Sequence, residues 1–270
     1  TPELQVAIIA AETKVRLEDL YLPYKQKRRT KAQIALEAGI EPLADSLISD
    51  PCLEPFDEAL AYINKDEKFK TAFEDAKGVL DGAKYILMER FAEDAELLQS
   101  IRDFMSHNTV IFSNVVSGKE KDAAKYRDYF DLQDKFQGIP SHRALAMLRG
   151  RREGVLQLRI DVVVPDNQVH PCISMIGNHF DISHRDRAAD DWLAEVVSWT
   201  WRVKLQLHQE TELMSAMRAA AEEAAIEVFA LNIKDLLLAA PAGQKATIGL
   251  DPGLRTGVKL AVIDATGQFV

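Results

Sequence analysis

From residue 188 to residue 240 the chain contains neither glycine nor proline and is dense in alanine, glutamate, leucine and arginine. Such residues lose little on entering a helix, and no breaker offers the backbone an alternative, so the whole stretch is expected to be helical. It is too long for one ordinary helix, and a break or kink is expected near residues 208–211. Before the break, Trp192, Val196, Trp199 and Val203 share an apolar side; after it, Leu213, Ala220, Ala224 and Leu231 do. Trp192, Trp199 and Trp201 read as packing residues, because at least two of them share helical spacing with aliphatic neighbours.

The rest of the chain is mostly helical as well. Residues 3–20 carry Val6, Ile9, Val15 and Leu20 among alanines and predict one helix ending before Pro23. Residues 31–38 predict a short helix stopped by Gly39, and Pro42 starts another that bears Leu43, Leu47 and Ile48 and ends at Pro51. Phe56, Leu60 and Ile63 mark a further turn or two. From residue 71 the series Phe73, Ala76, Leu80, Ala83, Leu87, Phe91 keeps a three-four period and predicts one long helix, and Leu97, Leu98, Ile101, Phe104 and Met105 predict a second, ending at residues 106–108. Residues 110–116 read as a short strand, and Tyr126, Tyr129, Phe130 and Leu132 as core residues. Ser141 as N-cap and Gly150 as terminator predict a short helix over residues 142–149. Leu156, Leu158, Ile160, Val162 and Val164 alternate with polar neighbours as a half-buried strand does, with residues 169–176 as its expected hairpin partner. The fold class is mainly α: a multi-helix scaffold with a small β-hairpin or sheet.

Charge narrows the function. The net charge of −9 excludes bulk attraction to nucleic acid, so any such binding must come from local patches. One patch stands out: Lys25, Lys27, Arg28, Arg29 and Lys31 follow Tyr21, Pro23 and Tyr24. A dense cation cluster releases counterions from a nucleic acid without reading any base, and the tyrosines offer stacking surfaces. The alternative is a solvated run, with the tyrosines buried and the cations paired to Glu18, Asp19 and Glu37. A second cluster, His142, Arg143, Arg149, Arg151 and Arg152, has His142 and Arg149 seven apart on one helical face. It reads as phosphate contacts or as cations complementing the dipole at a helix C-terminus.

Other chemistry finds less in the sequence. His170, Cys172, Asp181, His179, His184 and Asp186 invite a metal by composition, but their spacing fits no zinc frame. Gly249, Gly253 and Gly257 spell no dinucleotide or Walker motif. Cys52 and Cys172, in no Cys-x-x-Cys frame, suit the cytosol, and no apolar run is long enough to cross a bilayer. The expected protein is soluble and cytoplasmic, with no cofactor and no membrane partner. Residues 247–251 read as a strand delivering Asp251 to its end, and residues 258–264 as the returning strand of a hairpin. Thr1 is not a natural start and residue 270 arrives as a new strand begins, so the chain reads as a fragment.

The segments Leu-Glu-Asp-Leu-Tyr-Leu-Pro-Tyr-Lys at 17–25, Ile-Pro-Ser-His-Arg-Ala-Leu-Ala-Met-Leu-Arg-Gly at 139–150, Ser-Trp-Thr-Trp-Arg-Val-Lys-Leu at 198–205, the run at 222–241 and Gly-Leu-Asp-Pro-Gly-x-Arg-Thr-Gly at 249–257 resemble the Tex family of bacterial transcription accessory proteins. The resemblance spans nearly the whole chain. It implies a Tex N-terminal-like helical region over residues 1–139, a central region over 140–243 and, at 244–270, the opening of an incomplete YqgF-type, ribonuclease H-like domain. It also implies a nucleic-acid-binding factor that works with the transcription machinery, on RNA or DNA, and that binds mostly through domains downstream of this chain. Asp251 would occupy the first acidic position of a ribonuclease H-like site. A two-metal nuclease needs several carboxylates from separate elements, so one Asp does not make a catalytic set, and the chain is expected not to be an enzyme. The alternative is part of a metal-dependent ribonuclease H-like nuclease with Asp251 as first metal ligand.

Overall fold

The computed structural model describes every residue except Thr1, 26–28, 65, 67, 241 and 242, together with the Lys70 side chain. It is mainly α and divides into two compact units, Thr1–Ala221 and Glu222–Val270.

The first unit begins with two helices where the sequence predicts one, α1 (Pro2–Ile9) and α2 (Lys14–Tyr21). Thr13 makes the difference: extended at φ −126°, it accepts the Arg16 N–H at 3.2 Å and so starts a new helix. Thr30 starts α3 (Lys31–Glu37) in the same way, and Gly39, at φ +78°, turns the chain into α4 (Glu41–Ser49). After α5 (Pro55–Ala59), the long helix expected from residue 71 is also divided, into α6 (Lys70–Phe73) and α7 (Ala76–Ala92), because Asp75 caps the second by accepting the Gly78 N–H at 2.7 Å. Helix α7 is the centre of the unit, burying Val79, Ala83, Leu87 and Phe91, and Phe91 stacks on Phe180 at 3.9 Å. Val79, Leu87 and Phe91 each contribute ~1.5–3 kcal/mol through area removed from water.

Helix α8 (Ala95–Asn108) runs into β1 (Thr109–Val115), the middle strand of an antiparallel sheet ordered β2–β1–β3, with β2 at Asp131–Lys135 and β3 at Leu156–Val162. The expected hairpin partner of β3 is instead α10 (Pro171–His179). His170 caps it with an imidazole Nδ1 that accepts the Cys172 N–H, Pro171 occupies its first turn, and β3 pairs with the sequence-distant β1. Between the strands, α9 (Ser141–Arg152) continues past Gly150, which was expected to end it. That glycine is needed for space: a Cβ there would lie 2.5 Å from Leu156 Cδ1.

The glycine-free stretch opens with α11 (Asp190–Trp199) and breaks earlier than expected. One π-helical turn, Thr200–Leu205, interrupts it, and α12 (Gln206–Leu237) then runs unbroken through residues 208–211. The wider turn buries Trp201, whose ring stacks on His170 at 4.7 Å, while Trp199 and Val203, expected on the apolar side, stay largely exposed. A buried ion cluster ties three helices of this unit together: Arg102 of α8 donates to Asp19 of α2 at 2.8 Å and to Glu212 of α12. In the second unit, β4 (Thr247–Pro252) and β5 (Val258–Ile263) form the expected hairpin in antiparallel register, with Leu250 opposite Leu260 and Asp251 opposite Lys259.

Candidate nucleic-acid interface

The first basic run lies where α2 ends. Pro23 sits in a 3₁₀ turn, Leu22–Tyr24, which leads the chain out of the helix. Tyr21 and Tyr24 are not buried; they are 55% and 60% exposed. The acids that might have paired with the run are mostly engaged elsewhere: Glu18 with Lys14 at 3.6 Å and Asp19 with Arg102. Glu37 is different. It accepts from Arg29 at 2.6 Å and from Lys68 at 3.4 Å, and the Arg29 hydrogen bond is the main cause holding its carboxyl below the ordinary value. Lys31 donates to the Tyr85 hydroxyl at 3.1 Å and lies over that ring. Lys25 is exposed and has no carboxylate partner among the described residues. Lys27 and Arg28 lie outside the described residues.

The second cluster stands on α9, which is anchored from beneath by buried Ala144, Met147 and Leu148. His142, Arg143, Arg149, Arg151 and Arg152 are all exposed on it. Arg143 donates to Asp134 of β2 at 3.0 Å, and Arg149 lies 3.6 Å from Glu153. Glu153 is claimed more closely by Lys125, at 2.8 Å, whose hydrogen bond is the first cause of the lowered Glu153 carboxyl. His142, Arg151 and Arg152 have no carboxylate partner among the described residues. Since α9 extends to Arg152, the three C-terminal arginines occupy its last turn and complement its dipole, a role compatible with reaching a phosphate as well. The sequence reading missed Arg218 of α12, which lines one cleft with Arg151. Nothing local in the sequence marks it, because its neighbour lies on a different helix.

The histidines that invited a metal diverge. His170 meets Asp161 at 3.1 Å, His179 meets Asp94 at 3.1 Å, and His184 meets Asp191 at 3.2 Å. Among the described residues no group of three His, Cys, Asp or Glu side chains is arranged to hold a metal ion. Asp251, in the second unit, is exposed and lies 3.7 Å from Lys259. Among the described residues no helix is long and apolar enough to cross a membrane.

Comparison with known proteins bears on the whole. The chain is 55% identical over 274 residues to Protein YhgF of Escherichia coli K12, which it covers to 35% while being covered fully itself. It is 47% identical over 271 residues to Transcriptional accessory protein Tex of Neisseria gonorrhoeae, with 99% of this chain and 34% of that protein aligned. It is 27% identical over 273 residues to the human S1 RNA-binding domain-containing protein 1, aligning 98% of this chain and 27% of that protein. The chain thus spans about a third of the length of its bacterial relatives. The family described as Tex central region-like matches residues 50–229, which is more than half of the chain, and the chain belongs to that family.

Proposed function

We propose that this chain is the helical scaffold part of a cytoplasmic, nucleic-acid-binding transcription accessory factor, and that its two basic faces add phosphate contacts to those made elsewhere in the full-length protein. The observation that carries the reading is a set of exposed basic side chains, close together in each patch, that no described acid pairs. In a chain of net charge −9, Lys25, His142, Arg151 and Arg152 are left exposed without an acid among the described residues, the last three on one buttressed helix. Exposed Tyr21 and Tyr24 lie just before Lys25 in the chain and offer rings on which bases of a strand could stack. The names of the relatives agree with such a role, one being a transcriptional accessory protein and another carrying an S1 RNA-binding domain. The scaffold is itself non-enzymatic in this reading. Asp251 is the single acid it offers at the position where a two-ion nuclease begins, and such a nuclease draws several carboxylates from separate elements.

The test is binding of the 270-residue chain to single-stranded RNA and to double-stranded DNA across a salt series, with K27A/R28A/R29A as the comparison. The expected result is a salt-dependent affinity that the triple variant loses, with the log–log salt slope for duplex falling by about 0.9 for each phosphate contact removed. Absence of binding at low salt would overturn the reading and move the parent's affinity entirely outside this chain.

A further inference from the structure

Arg151, in the last turn of α9, and Arg218, on α12, both line one cleft of about 370 Å³ in the first unit. The floor includes buried Leu158 of β3 and buried Met214. Many arginines of this acidic chain are held by carboxylates: Arg16 by Glu96, Arg90 by Asp45, Arg102 by Asp19 and Glu212, Arg187 by Asp190. Arg151 and Arg218 have no such partner among the described residues. Two like charges on one cleft repel, so the arrangement favours an anion that answers both.

The acid on the cleft wall, Glu210, is turned toward the sheet. Its Oε1 accepts the Ile160 N–H at 3.1 Å on the open edge of β3, and the two-residue period of the strand leaves the Leu158 N–H on that same edge. The two hydroxyls of the wall have already used their hydrogens: Thr211 donates to the Leu207 carbonyl at 2.7 Å and Ser215 to the Thr211 carbonyl at 2.9 Å. Only their lone pairs remain for a ligand. The cleft therefore combines cationic forks with hydrogen-bond acceptors.

A guanidinium fork matches the paired free oxygens of a phosphate, and spare acceptors call for a donor beside it. One ribonucleotide carries both, the phosphodiester and the 2′-hydroxyl. We infer that this cleft seats the backbone of an RNA strand, with Arg151 and Arg218 on a phosphate and Thr211 and Ser215 on the adjoining ribose. The inference rests on the nucleic-acid reading above and narrows it to one place and one strand chemistry. DNA or an acidic peptide would answer the arginines but bring no ribose hydroxyl to the acceptors.

The experiment is fluorescence anisotropy on the whole chain with a single-stranded RNA, the DNA of the same sequence, and a poly-aspartate competitor, for wild type, R151A, R218A, R218K and T211V. Both arginines are exposed, and far-UV circular dichroism verifies that each variant is folded. R151A and R218A are each expected to weaken RNA binding about tenfold and to lower the salt slope by about 1, with R218K, which keeps the charge and loses the fork, in between. T211V is expected to weaken RNA and leave DNA unchanged. Wild-type affinity in R151A and R218A, with binding lost in K27A/R28A/R29A, would overturn the cleft and leave the broader reading standing. No binding by wild type would overturn both. Equal affinity for RNA and DNA with no effect of T211V, or displacement of RNA by poly-aspartate at equal charge, would overturn the RNA assignment.

Discussion

Leu43, Leu87, Phe91 and Ile101 of the first unit are wholly inaccessible to solvent, whereas Leu250, Leu260 and Phe229 of the second keep 63%, 61% and 65% of their surface exposed. Both units are regular: the second holds a hairpin in full register and the latter part of α12. Hydrogen-bonded regularity and a core are therefore separate achievements. A ladder exchanges bonds with water for bonds within the chain and gains only ~0.5–1.5 kcal/mol per bond, and an isolated two-stranded hairpin is marginal. Burial is what gives the first unit its core. On α9 the buried Ala144, Met147 and Leu148 fix the helix from beneath, and the arginines stand on its exposed side.

Substitutions in the two units sharpen this contrast. Because Trp192, Trp199 and Trp201 all lie in the first unit, their fluorescence during urea unfolding reports on that unit. The largest effect is expected from Phe91→Ala, which removes a ring stacked on Phe180 and leaves a cavity; a loss of ~3–5 kcal/mol should appear as an earlier midpoint. Gly150→Ala comes next. Alanine gains ~0.5–1 kcal/mol in a helix, but its Cβ meets Leu156 Cδ1 at 2.5 Å and Cγ at 2.8 Å, and overpacking costs ~1–3 kcal/mol, so a net loss of ~1 kcal/mol is expected. A stabilised variant would show that Leu156 yields freely and that the α9–β3 contact is loose.

A pH effect is smaller in range. Burial of Asp190 opposes its charge, but the N–H groups of Arg187 and Arg185 and the Arg187 guanidinium outweigh it, so the carboxyl is held well below the usual carboxylate range. A depressed folded value means that the stabilisation is present above the unfolded carboxylate pKa of ~3.9 and is lost as pH falls from there through the folded value. Wild type should therefore exceed Asp190→Asn by a constant margin between pH 5 and 7, in the order of magnitude set by that linkage, and converge with it on stronger acidification. A margin that persists at the acid end would assign the effect to shape rather than charge. The smallest effect is expected from Leu260→Ala, within ~0.5 kcal/mol on the tryptophan transition, as for an exposed surface site. A shift of the size seen for Phe91→Ala would break the comparison, since it would require the hairpin face to be covered in solution.

Much of the α-helical architecture was legible because its signals are local. The heptad spacing of α7 and α8, the turn at Gly39, the alternation of β3 and both strands of the terminal hairpin lie within a few residues of the groups they affect. The errors share a cause as well. Thr13 and Asp75 divided expected helices because a capping side chain is one residue in a long apolar pattern and is easily read as part of it. Gly150 was read as a stop, yet its reason for being glycine is Leu156, across a turn on another element. The basic runs were visible as composition; which of their members keep a free charge was not, since that depends on where Glu37, Asp134 and Glu153 come to lie.

The mainly helical character, the sheet strand after α9, the hairpin that carries Asp251 and the two clusters of cations in an acidic molecule are all readable along the chain. These follow from propensity, periodicity and charge, which act over one or two turns of chain. Long-range packing settles that β1 and not the following segment pairs with β3, that the glycine-free stretch opens into a π turn over buried Trp201, and that Arg218 stands with Arg151 at one cleft. Each depends on groups distant in sequence competing for the same space or the same hydrogen bond, and that competition has no outcome until the chain is folded.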